Sequence, residues 1–287
     1  NYEERDGNFS SVLGPLPPFL PFPLAGEQRS TDEFFEVLPQ GSISYDLSDS
    51  QTIGGLVSRG YRSGGVSVAP FVQQVAGYDP EYTWNYELFY RGVFLDGQLR
   101  VNSNVFYNDW TDQQVGLQVP GGTFVDILVE NVGESTLYGA EFEVEYDFTR
   151  EWSAFLALGY NDTEFGNFPL SPTQNLMGES FPFAPAWDSS LGVQYVGECG
   201  VFGSLTWTYQ DESYSEVQNI NQTALSSRHL VSAKLGYGQD NWKVYAFGSN
   251  LLNEDYELNQ FDQLGIGQFY GAAGPPRVFG AGFELAW

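Results

Sequence analysis

From Glu33 onward the chain alternates apolar and polar positions in runs of roughly ten residues or more, each closed by a turn signal. This is the period-two pattern of strands whose two faces meet different surroundings. Residues 186–197 carry it most cleanly. Trp187, Ser189, Leu191, Val193 and Tyr195 fall on one face, and Asp188, Ser190, Gly192 and Gln194 on the other. Residues 201–211 set Val201, Gly203, Leu205, Trp207 and Tyr209 against Ser204, Thr206, Thr208 and Gln210. Over 138–148, Tyr138, Phe142, Val144 and Tyr146 oppose Glu141, Glu143 and Glu145, and near the last residue Phe279, Phe283, Leu285 and Trp287 oppose Gly280, Gly282 and Glu284. The pattern predicts eleven strands, at 35–47, 51–62, 82–94, 98–118, 123–147, 151–163, 186–197, 201–211, 227–238, 241–251 and 276–287, the fifth with a bulge.

The predicted connections alternate in length. Short turns fall at Leu47–Ser50, Leu95–Gly97, Thr149–Arg150, Gly197–Gly200 and Gln239–Asn241; longer loops fall at 63–81, near 119–122, and at 164–185, 212–226 and 252–275. Residues 1–33 crowd Pro15, Pro17, Pro18, Pro21 and Pro23 into one span, which predicts an irregular segment or a long extracellular loop. Residues 34–287 then form the strand-bearing portion.

Alternation alone does not separate a soluble sheet from a membrane wall. Tyr82, Trp84, Tyr90, Trp152, Tyr160, Trp187, Tyr195, Tyr209 and Tyr237 lie on the apolar face near segment ends, as in the two aromatic girdles of a transmembrane barrel. The other face carries Glu, Asn, Gln, Ser and Gly, as a hydrated lumen does. Strand length matches a tilted crossing of hydrocarbon, and short turns on one side with long loops on the other complete the pattern. The expected fold is all-β, an antiparallel transmembrane β-barrel. With strict alternation of direction the first and eleventh strands run the same way, so this set does not close on itself and further strands are expected.

Composition narrows the function. Aromatics reach 17% and Gly 33 residues, while charged residues are 17%. There is one histidine, His229, and one cysteine, Cys199. Hence no internal disulfide, no Cys or His metal-ligand set and no histidine-dependent catalysis is expected: the reading is not an enzyme, with no cofactor and no metal. With 11 basic and 37 acidic residues the formal charge is −26, which argues against a nucleic-acid partner and fits either solubility in salt or a vestibule that attracts cations.

Four stretches carry a family resemblance. Tyr78–Val115, with Pro80-Glu81, Asn85-Tyr86-Glu87-Leu88 and Phe106-Tyr107, is similar to a recurrent hairpin of TonB-dependent outer-membrane receptors. Asn131–Tyr146, with Asn131, Gly133, Gly139, Glu141 and Glu143, resembles another element of that barrel. Asn250–Tyr256 and the final stretch from Pro276-Arg277 resemble its closing strands. The resemblance covers roughly 34–287 and implies the carboxy-terminal half of a barrel of about 22 strands that encloses a plug. It also implies a bacterial outer-membrane receptor that imports a scarce nutrient of siderophore, cobalamin or oligosaccharide class. The implied partners are the remaining barrel half and plug, the TonB complex of the inner membrane, outer-membrane lipid and an unidentified nutrient ligand; neither plug nor TonB box is found in these residues. Trp287 would be the terminal aromatic read by the barrel-assembly machinery. A passive porin or channel is the alternative.

Ligand contacts are expected on the long loops, where binding residues concentrate. The candidates are Tyr78, Gln113, Gln114, Phe124, Asn175, Tyr214 and Gln260. Glu141, Glu143 and Glu145 read as lumen wall against a plug, with a cation site as the sharper alternative. Asp211-Glu212 and Glu254-Asp255 read as solvated loop residues, and Lys234 as lumen-facing.

Overall fold

The computed structural model describes residues 2–10, 27–122, 126–171, 174–263 and 268–285. No helix among them is long and apolar enough to cross a membrane. Eleven strands form one antiparallel sheet in strict sequence order. They are β1 (Gln40–Ser48), β2 (Gln51–Arg62), β3 (Glu81–Phe94), β4 (Leu99–Thr111), β5 (Ser135–Asp147), β6 (Trp152–Phe165), β7 (Trp187–Val196), β8 (Val201–Gln210), β9 (Arg228–Gln239), β10 (Trp242–Ser249) and β11 (Val278–Leu285). β1 and β11 are the two edges, and no pairing joins them among the described residues.

Register sorts the side chains into two faces. The row Ile53, Tyr90, Ser103, Phe142, Leu158, Ser189, Tyr209 and His229 runs from β2 to β9 on one face. On that face Leu191 is 49% exposed, Leu205 48% and Phe283 66%. Large apolar side chains this exposed across a whole sheet have one stable environment, hydrocarbon. Aromatic pairs border the band at both ends. Tyr160 and Trp187 lie 4.8 Å apart toward the long connections, and Trp152 and Tyr195, also 4.8 Å, toward the short turns.

The opposite face is polar, with one addition to the expectation. It also carries Phe89, Phe106, Phe155, Phe202 and Phe247, each directly opposite a glycine: Gly54, Gly139, Gly192, Gly236 and Gly280. A Cβ on any of these glycines would run into the facing ring. The rings therefore lie flat on the neighbouring strand, covering backbone that glycine leaves bare and keeping the interior clear.

Two strand predictions ran long. Strands expected at 98–118 and 123–147 end at Thr111 and resume at Ser135, because Asp112 (φ 57°) and Gly133 (φ 75°) turn the chain off the wall. Between these kinks Gln114–Gln118 and Ile127–Asn131 form a separate hairpin. The connection is thus far longer than residues 119–122. The first strand begins at Gln40 rather than at 35, and Glu27–Phe35 instead pairs with Tyr2–Ser10 as a two-stranded ribbon. The segment 1–33 is therefore not irregular throughout: its flanks, which lack proline, satisfy each other's backbone groups. The proline-rich span itself lies outside the described residues.

Replacing Leu205, midway between the girdles, by Arg is expected to destabilise the barrel by roughly 2–4 kcal/mol. Thr206→Arg, on the polar face, is expected to stay within about 0.5 kcal/mol. Denaturant titration of the folded receptor in lipid vesicles measures both.

Candidate functional site

At the long-connection end the chain behaves like a soluble protein. Val115, Val132, Phe165, Leu176 and Val217 form a buried cluster, with Leu117, Phe168, Leu170 and Phe181 packed against it. These residues come from three different connections and the end of β6. Apolar side chains thus come together above the wall, and they hold the connections in a crown.

Hydrogen bonds join each connection to the next. Between 63–80 and 112–134, the Asn131 amide donates to the carbonyls of Asp79 and Asp112 at 2.8 Å and accepts the Asp79 N–H at 2.8 Å. The fully buried Asp126 accepts the N–H groups of Phe71 and Val72 at 2.7 and 3.3 Å. Glu81 accepts the Gln114 N–H at 2.6 Å and the Arg62 guanidinium at 2.9 Å. Between 166–186 and 211–227, the Asn219 amide accepts the Ser180 N–H at 2.5 Å and donates to the Ser180 carbonyl at 3.0 Å. The Gln260 N–H then donates to the Ser215 hydroxyl at 2.8 Å, which ties in the Glu257–Gln263 and Gln268–Ala273 hairpin. The buried Asn250 donates to the carbonyls of Glu254 and Pro275 at 2.8 and 3.1 Å and clamps the base of that connection.

The crown encloses a cavity of about 560 Å³, within the usual range for small-molecule sites. Gln118, Gln174, Glu216, Gln218 and Phe261 line it, with the Pro120-Gly121-Gly122 turn and Pro182. The Nε2 group of Gln118 is buried and has no hydrogen-bond partner among the described residues. Beside Pro182, Phe183 is 54% exposed and held at φ 57°. That conformation is strained for a bulky residue. Of the charged residues in the five long connections only Arg277 is basic, against thirteen Asp or Glu.

The described ligand candidates lie on the long connections, and none of them lines the cavity. Gln114 is committed to structure: its Nε2 donates to the carbonyls of Ser63 and Asp79 at 3.0 and 2.9 Å. The Asn175 amide accepts the N–H groups of Phe168 and Met177 and donates to Asn167 at 2.7 Å. Tyr214 accepts the Phe183 N–H at its carbonyl, at 2.8 Å. Tyr78 is half-buried against Gly65. Gln113 leaves its buried Oε1 without a partner among the described residues. Gln260 adjoins the cavity through Phe261. Phe124 and Trp287 lie outside the described residues. The sequence reading missed Gln118 because it counted that residue as the end of a wall strand. It passed over Gln218 and Phe261 because amides and aromatics recur in every long loop.

On the lumen face Glu141 and Glu143 border a recess of about 380 Å³ with Glu87, Arg91, Asn102 and Asn104. Glu145 and Asp147 meet the Arg100 guanidinium at 3.3 and 3.5 Å. No cluster of acidic, His or Cys side chains arranged to hold a metal occurs among the described residues.

A lipid-facing wall of meandering strands, with its long connections folded into a cavity-bearing crown, defines the class as a transmembrane β-barrel. The profile of the family described as TonB dependent receptor-like, beta-barrel, matches residues 6–251, and the chain belongs to that family. It is accordingly a bacterial outer-membrane β-barrel protein of a receptor family, not an enzyme. The pesticin receptor of Yersinia enterocolitica is 27% identical over 184 residues, which is 61% of this chain and 24% of that receptor. The chain thus spans about a quarter of the length of the curated relatives it matches. Among solved structures, the ferric yersiniabactin uptake receptor FyuA from Yersinia pestis superposes with a TM-score of 0.75 at 19% identity, over 99% of this chain and 41% of that one. The siderophore receptor PiuA from Acinetobacter baumannii gives 0.71 at 18% identity, over 98% and 39%. At these identities the likeness is one of fold.

Gln114→Ala is expected to leave two carbonyls without their donor and to loosen the crown locally by about 1–3 kcal/mol. Faster amide hydrogen exchange over 63–80 and 112–118, with unchanged melting of the wall strands, is the expected result.

Proposed function

We propose that this chain supplies wall and crown to a receptor that imports a scarce nutrient across the outer membrane with TonB-transmitted energy. The observation that carries the reading is the crown cavity: a guest-sized, partly polar hollow at the extracellular end of a lipid-facing wall. The cargo would belong to the siderophore, cobalamin or oligosaccharide class, and the printed names of the neighbouring receptors favour the first. In this reading the ribbon at Tyr2–Ser10 and Glu27–Phe35 belongs to a long extracellular loop. The two sheet edges pair with the rest of the barrel, and a plug sits against Glu141, Glu143 and Asn104. Covalent chemistry plays no part; selectivity comes from the crown and direction from displacement of the plug.

A passive porin would share the wall. It would not need a crown held by so many connection-to-connection bonds, since a pore is served by a permanently open mouth.

Uptake into cells carrying the complete receptor is expected to vanish when TonB is deleted or the proton gradient is collapsed, and planar bilayers are expected to show no steady conductance. Uptake independent of TonB, or a steady ion current, overturns the proposal. Phe261→Ala and Gln118→Ala are each expected to weaken cargo capture about tenfold (~1.4 kcal/mol), read by equilibrium binding to whole cells with barrel assembly checked by heat-modifiable migration.

A further inference from the structure

The outer wall carries a second hollow, unrelated to cargo. Where Gly41 and Gly55 remove side chains from the apolar face, a groove of about 770 Å³ opens between Ile43, Val57, Leu88 and Tyr107. These flanking residues are 40–78% exposed. Nothing lies within 4 Å of a Cβ built on Gly41, so the floor of the groove is bare backbone. The groove spans β1 to β4 on the face that meets hydrocarbon. Strands added beside β1 would extend its wall without covering it.

Two residues beyond Val57 on the same face of β2 stands Arg59, roughly 7 Å nearer the extracellular side and level with Trp84 of β3. Six of the seven Arg and Lys residues in the eleven strands fall on the lumen face by register; Arg59 alone faces outward. Its guanidinium sits 4.6 Å from the centre of the Tyr82 ring. Tyr61, the register partner of Tyr82, has its ring centre 6.1 Å from that of Tyr82. Two carboxylates share the neighbourhood. Glu36 accepts the Tyr82 hydroxyl at 2.6 Å, and Asp109 lies beyond Trp84 on β4. Neither forms an ion pair with Arg59, which has no carboxylate partner among the described residues.

A guanidinium at the lipid–water boundary reaches the headgroup layer, where anionic phosphates are the charges it can pair with. Its planar fork suits phosphate in a bidentate pair. A cation placed just above an apolar groove matches the layout of one molecule: an acyl-chain lipid with a phosphate headgroup, tails down, phosphate up. We propose that Arg59 and the Gly41–Gly55 groove form a binding site for one phosphorylated lipid of the outer leaflet, with Tyr61, Tyr82 and Trp84 bracketing its headgroup.

The test uses the complete receptor in detergent micelles titrated with phosphatidylglycerol and monitored by native mass spectrometry, with heat-modifiable migration as the check on folding. The wild type is expected to hold one lipid through mild activation. Arg59→Gln should weaken that adduct at least tenfold, and Arg59→Lys, which keeps the charge but loses the fork, should fall between the two. Gly41→Leu, whose Cβ would meet nothing within 4 Å and whose side chain would occupy the groove, should weaken it with Arg59 intact. Unchanged retention in Arg59→Gln overturns the site. So does loss in Arg59→Gln with none in Gly41→Leu, or displacement by millimolar inorganic phosphate, because each would mean that the headgroup binds without its tails. The result is independent of transport, so cargo uptake stands or falls separately.

Discussion

Everything in this molecule answers to a medium that offers the backbone no water. In hydrocarbon an unpaired N–H or C=O costs several kcal/mol, so a spanning segment must satisfy its backbone groups within the protein. A hairpin-linked antiparallel sheet does so strand by strand, and its register then fixes every side chain to one face or the other. Leu191, Leu205 and Phe283 on one face and Glu141, Glu143 and Asp188 on the other follow from that pairing. The cross-strand pairing of glycine with phenylalanine on the lumen face belongs to the same logic: bare glycine backbone is covered by the ring opposite it.

The medium also explains where the conventional core lies. A wall one sheet thick has no second layer to bury apolar side chains against, and lipid serves instead. Above the membrane water returns, and with it the hydrophobic effect. Phe165, Leu176 and Val132, nearly or fully buried, are each worth about 1.5–3 kcal/mol relative to exposure. They are found where the chain leaves the bilayer. The family-like motifs cluster at the same boundary. Asn131 and Gly133 sit where the Gln114–Asn131 hairpin departs from the wall, Glu81 joins two connections, and Asn250 closes the base of the last. Their shared task is to hold the crown in one arrangement, so that less ordering is left to be done when cargo binds.

This division sets what could be read from the sequence. Strand number, faces, girdle aromatics and the short–long rhythm of connections were legible, because lipid and lumen impose a period-two code over ten residues at a time. β2 was predicted to the residue, at 51–62. The code fails where its cause is absent. Gln114–Gln118 and Ile127–Asn131 still alternate, but against the crown cluster, so they merged with β4 and β5; only the backbone at Asp112 and Gly133 marks the departure. The lumen phenylalanines were passed over because their partner glycines lie on other strands, at separations no local pattern exposes. The long connections were legible as the region from which candidates were drawn, but none of the described candidates lines the cavity itself. Which amides face the hollow and which fasten loops, as Gln114 does, depends on contacts between connections far apart in sequence.

The edges carry the last consequence of the same constraint. β1 and β11 both run from the crown toward the short turns, and among the described residues each presents an unpaired row of backbone groups at membrane depth. Two strands running in the same direction cannot join an antiparallel wall as neighbours. An odd number of further strands between them restores the alternation and pairs both rows at once. The greater length of the matching receptors, of which this chain covers 41% or less in solved structures, accommodates such a complement. The proposed lipid site on β1 to β4 adjoins that seam at β1 and opens toward lipid, while the crown over β2 to β11 opens toward the outside. Closing the barrel therefore completes the lumen and extends the wall of the lipid groove without covering either outer surface.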